Sequence, residues 1–91
     1  LIISGGLNVY PKEVEGMIDA VEGVLESAVI GVPHRDFGEA VVAVIVRSDD
    51  ALAAETVEAA LADQLAKFKQ PKAILFTDAL PRNSMELGYR N

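Results

Sequence analysis

The sequence predicts an α+β fold: a two-layer sandwich in which a small three-stranded sheet carries two helices on one face, preceded by an N-terminal β-hairpin. Three observations point there. Apolar residues recur at helical spacing in two separate segments. Stretches rich in β-branched residues lie between and after them, each ended by proline, glycine or acidic residues. The chain also opens with two short apolar runs on either side of Gly5-Gly6.

The elements follow in order. Residues 1–4 and 7–10 flank a two-residue Gly-Gly connection. That connection suits a primed hairpin turn, because both glycines can take positive φ. Pro11 fits the first turn of a helix, where its missing N–H costs nothing, and Glu13 and Glu15 suit the positive end of the helix dipole. Val14, Met17, Ile18 and Val21 form one apolar stripe, a core face, and Gly23 ends the helix. Residues 24–32 read as a strand stopped by Pro33. A polar loop at 34–39 leads to residues 40–46, whose almost wholly apolar run has the look of a strand buried on both faces. Val57, Leu61, Leu65 and Phe68 mark a second helix over 55–68, stopped by Gln70-Pro71. Residues 72–77 form a third strand and 78–81 a turn. The last ten residues carry no clear periodicity.

Composition narrows the function classes. Ninety-one residues with a 51% hydrophobic share make one domain with a small core. The chain has no cysteine, which rules out disulfides and thiolate metal sites and fits a reducing, cytoplasmic compartment. The single histidine, His34, argues against a histidine-based zinc site, and no metal site is expected. The net charge of −6 disfavours nucleic acid as a partner. No apolar run approaches the roughly 20 residues that span a bilayer, so no membrane partner is expected. The chain opens inside an apolar run without a methionine, and reads as a piece of a longer protein. The charge is uneven: residues 67–91 hold five basic side chains against two acidic ones, and the remainder three against twelve. This pattern fits either two differently solvated faces or a C-terminal part that meets an anionic ligand.

The segment Ser4-Gly5-Gly6-Leu7-Asn8-Val9-Tyr10-Pro11-Lys12-Glu13-Val14-Glu15 resembles the glycine-hairpin motif of AMP-forming acyl-CoA synthetases, members of the adenylate-forming superfamily. Further stretches match in order and spacing. They are Glu26-Ser27-Ala28-Val29-Ile30-Gly31-Val32-Pro33 with Phe37-Gly38-Glu39, then Phe68-Lys69-Gln70-Pro71-Lys72, then Leu80-Pro81-Arg82-Asn83. The resemblance covers nearly the whole chain and implies one small C-terminal lid domain, residues 1–91, whose large N-terminal domain is missing from this sequence. Asn8-Val9-Tyr10-Pro11 and Lys69-Gln70-Pro71-Lys72 are most similar to malonyl-CoA synthetase-like members.

The resemblance implies activation of a small carboxylic acid, malonate or another, by ATP with Mg²⁺ to an acyl-adenylate. Transfer of the acyl group to CoA follows. None of these ligands is expected to bind tightly to this piece alone, and the N-terminal large domain is its implied partner. Ser4, Gly5 and Gly6 would face the pantetheine channel, where glycine permits close backbone approach. Asn8, Lys69 and Arg82 would meet nucleotide or phosphate, while Lys72 reads as a surface lysine near a helix end. The family follows Pro-Arg-Asn, two residues later, with Gly-Lys. Here the lysine position holds Leu87, or Tyr89 if two residues are inserted, and neither supplies a cation at neutral pH. No catalytic residue is therefore assigned within the chain.

His34 beside Asp36 lacks a serine or cysteine nucleophile in motif context and reads as a solvated loop histidine. Glu13 and Glu15 are explained by their place in the first helical turn. A second reading stays open at this point: a self-standing α+β regulatory or dimerisation module without catalysis. Such a module would bury or pair Gly5-Gly6, whereas a lid would leave them at an exposed tip.

Overall fold

The computed structural model describes residues 1–80. In chain order they form β1 (Ile2–Ser4), β2 (Leu7–Val9), α1 (Pro11–Asp19), β3 (Val24–His34), β4 (Gly38–Arg47), α2 (Ala54–Ala62), a 3₁₀ turn (Lys67–Lys69) and β5 (Ala73–Thr77). The strand β4 is the centre of the sheet. One of its edges pairs antiparallel with β3, from Val24↔Arg47 to His34↔Gly38. The other edge is shared. β5 runs parallel to it from Val42↔Ala73 to Val46↔Thr77, and β1 meets it antiparallel at Ser4↔Gly38.

The α+β class and the helices on one face are as the sequence predicts, but the sheet has five strands rather than three. The hairpin is not an appendage. β5 leaves the first residues of β4 without a neighbour, and unpaired edge groups need partners. β1 supplies them. The helices share one core with the sheet. Val14 and Ile18 of α1 and Val57 and Leu61 of α2 pack with Val41, Ala43 and Ile45 of β4, closed at the hairpin end by Ile2 and Val9. Ile45 is fully buried at the middle of this cluster. Ile45→Ala is expected to cost about 2–5 kcal/mol, read as a lower denaturation midpoint; a loss below about 1 kcal/mol would mean the site collapses freely.

Several boundaries differ from expectation. The first helix ends at Asp19 rather than at Gly23, and β3 runs through Pro33 to His34 instead of stopping before the proline. The second helix stops at Ala62 rather than reaching residue 68. Ala66 adopts φ −59°, ψ 148°, which breaks the ladder. The break lets Leu65, buried, and Phe68 reach the core from different directions ahead of Pro71. Gln64 and Gln70 donate from Nε2 to the carbonyls of Ala60 (3.5 Å) and Leu65 (3.1 Å) around the break. The predicted loop at 34–39 is also shorter, because β3 and β4 continue pairing down to His34↔Gly38.

Edge strand β3 is shielded by α1. Glu15 Oε2 accepts the Val29 N–H at 2.9 Å, and Asp19 Oδ1 accepts from Ser27 Oγ at 2.7 Å. Pro33 has no N–H to offer an incoming strand. The acidic residues of the first helix thus do more than suit its dipole.

Candidate functional site: the glycine hairpin and its corner

Gly5 and Gly6 form the tip between β1 and β2, with φ of +60° and +80°. Both values lie in the left-handed region that a type I′ turn requires. Both glycines are exposed, and a Cβ built on either would meet no atom within 4 Å. Glycine is therefore demanded here by backbone conformation, and the space beside it is open to another surface. Ser4 lies just inside, buried, opposite the exposed Leu7. Asn8 is exposed and pairs with Ile3 in the hairpin register.

The tip is anchored. Gly5 donates its N–H to the Phe37 carbonyl at 2.8 Å. Phe37 in turn carries a small cationic corner. The His34 ring stacks on it, centroids 4.5 Å apart, and Lys72 Nζ stands 5.0 Å from its centroid. Lys72 reaches this place because its own N–H donates to the Val41 carbonyl at 2.7 Å, bringing the start of β5 against β4. Its side chain remains exposed. A lysine on an aromatic face near an exposed glycine turn is chemically suited to an anion joined to a thin chain.

Not every predicted residue gathers here. Ser4, Gly5 and Gly6 do. Lys69 instead forms an ion pair with Glu13 of α1 at 3.1 Å, which ties the 3₁₀ turn to the first helix. Arg82, and the positions Leu87 and Tyr89, lie outside the described residues. His34 is corrected: it is half-buried and stacked, and its Nδ1 accepts the Asp36 N–H at 3.0 Å rather than standing free in solvent. Sequence reasoning left Phe37 unassigned and read Lys72 as a surface lysine; Lys72 is exposed, and the structure adds that it stands over the Phe37 ring. The signal was present in both motifs, Phe37-Gly38-Glu39 and Pro71-Lys72, but only the fold shows that they meet.

The rest of the surface offers less. A small recess is lined by Arg47, Asp50, Phe76, Thr77 and Asp78. Arg47 is spent there on structure: its guanidinium lies 4.1 Å over the Phe76 ring and donates to the carbonyls of Asp50 and Leu52. Among the described residues, no group of three or more His, Asp or Glu is placed to hold a metal ion, and no helix is long and apolar enough to cross a membrane.

The described residues thus present an exposed glycine tip on a small α+β fold, near an aromatic ring that carries Lys72. The chain belongs to the family described as the AMP-binding enzyme C-terminal domain, whose model matches residues 13–85. It is 59% identical to MatB from Rhodopseudomonas palustris, solved with ATP bound. That match covers 93% of this chain and 17% of that one, with a TM-score of 0.88. It is 42% identical over 83 residues to the long-chain-fatty-acid–CoA ligase FadD13 of Mycobacterium tuberculosis, covering 91% of this chain and 16% of the ligase. It is 45% identical over 87 residues to the 4-chlorobenzoate–CoA ligase of a Pseudomonas species, covering 93% of this chain and 16% of that enzyme. The chain thus spans about one sixth of the length of these relatives.

Proposed function

We propose that this chain is the C-terminal lid domain of an ATP-dependent, AMP-forming acid–CoA ligase, and that it serves the thioester-forming step against a large N-terminal domain of the same polypeptide. The observation that carries this reading is the exposed Gly5-Gly6 tip, with open space where side chains would otherwise stand. The tip would let backbone amides approach the pantetheine arm of CoA closely. Lys72, exposed beside Phe37, would meet a phosphate of CoA. The rival reading, a module that pairs or buries its hairpin, would need a second chain to cover the tip, which its own fold leaves open.

ATP fits the family and the relatives. Mg²⁺ would enter with ATP as its bound cation. A small dicarboxylic acid of the malonate type is supported by the identity to MatB, a malonyl-CoA synthetase. The phosphate contact is checked in the full-length protein. Lys72→Ala is expected to raise the KM for CoA about fivefold, with Lys72→Arg restoring most of it. An unchanged KM in Lys72→Ala would remove Lys72 from the site.

A further inference from the structure

We propose that Glu39 is a positioning residue for thioester formation: its carboxylate holds β1 so that the glycine tip stands at a fixed place on the sheet. This rests on the function proposed above. Residues 3–5 and 37–39 are joined in two ways. Ser4 pairs with Gly38 in a backbone bridge that includes the bond from the Gly5 N–H to the Phe37 carbonyl, and Ile3 donates its N–H to Glu39 Oε1 at 2.8 Å. The second is made by a side chain, and so is the one that sequence can tune.

The surroundings are built for that carboxylate. It lies over Gly31 of the neighbouring strand. A Cβ on Gly31 would stand 2.9 Å from Glu39 Oε2 and 3.2 Å from both Glu39 Cδ and Ile2 Cγ1. Gly31 has an ordinary negative φ, so its glycine is not required by backbone conformation. The space it leaves is the reason for it. That space admits the Glu39 head and Ile2 together, directly under β1. Glu39 forms no ion pair among the described residues. A carboxylate bound to a backbone N–H makes a strong, directional contact, and a 1 Å displacement of a positioning element costs a reaction step heavily.

The test uses the full-length protein that carries this chain, given CoA and a panel of supplied malonyl-, benzoyl- and octanoyl-adenylates. Supplying the adenylate bypasses the first half-reaction. Glu39→Ala is expected to slow thioester formation about tenfold or more. Acyl-adenylate affinity should stay within about twofold, as expected for a distant site. Glu39→Gln keeps the acceptor oxygen and should restore most of the rate. Gly31→Ala, which forces the carboxylate aside without removing it, should reproduce the Glu39→Ala defect. Amide exchange gives an independent readout: Ile3 and Gly5 should exchange faster in Glu39→Ala and not in Glu39→Gln.

A wild-type protein that makes no thioester from any of the adenylates sinks the function proposed above, and amide exchange then judges the clamp by itself. A wild-type protein that is active, with Glu39→Ala equally fast, overturns the assignment of Glu39 alone. So does a Glu39→Gln variant as impaired as Glu39→Ala.

Discussion

Replacing Glu86 with glycine and Leu87 with lysine is expected to raise acyl-adenylate formation about 10²–10³-fold in the full-length protein. The argument is chemical. Joining a carboxylate to the α-phosphate of ATP brings two anions together, and the barrier falls when a cation stands where charge builds. The family supplies a lysine after Pro-Arg-Asn, two residues and glycine. Following Pro81-Arg82-Asn83, this chain offers Glu86-Leu87 at those places, or Gly88-Tyr89 if the register slips by two. Arg82 and Arg90 are the cations of this segment, and a guanidinium does not simply replace an ammonium. Tyr89→Lys alone is the companion variant, since it leaves Gly88 before the new cation. Acid-dependent exchange of pyrophosphate into ATP reads the result. The variant that gains activity identifies the register; if neither gains, the native tail does not limit adenylation.

The second large effect is expected at the tip. Gly6→Asn should cut thioester formation about ten- to a hundredfold while lowering stability by no more than about 1 kcal/mol. Asparagine is chosen because it tolerates the left-handed conformation that φ +80° demands, so the turn survives. What changes is the space beside the tip, where the native glycine leaves no atom within 4 Å of a Cβ position. Gly6→Leu adds bulk and backbone strain together and should be worse on both counts. A Gly6→Asn protein with a normal thiolation rate would show that nothing approaches the tip closely.

Much of this was legible in the residues, for identifiable reasons. The Gly5-Gly6 turn was readable because only a primed turn joins two short apolar runs so tightly, and the structure has both glycines at positive φ. The stripe Val14, Met17, Ile18 marked the buried face of α1 because helical period and burial coincide there. What escaped was long-range. Nothing local in residues 2–4 says that they complete the free edge of β4, because that edge exists only once β5 has paired from Val42 onward. Nothing local in residues 63–66 says that the helix must break, because the break is set by where Leu65 and Phe68 find the core. The site divided along the same line. Gly5 and Gly6 carry the turn in their own conformation. Lys69 and Lys72 look alike in sequence, and only packing sends one to Glu13 and the other to Phe37.

The most direct measurement is single-turnover thioester formation by the full-length protein carrying this chain, mixed with a supplied acyl-adenylate and CoA. The account predicts that thioester forms from at least one adenylate, and that truncation before Leu1 abolishes it while acyl-adenylate still binds. Thioester formation that proceeds as fast without this domain as with it would contradict the account at its centre.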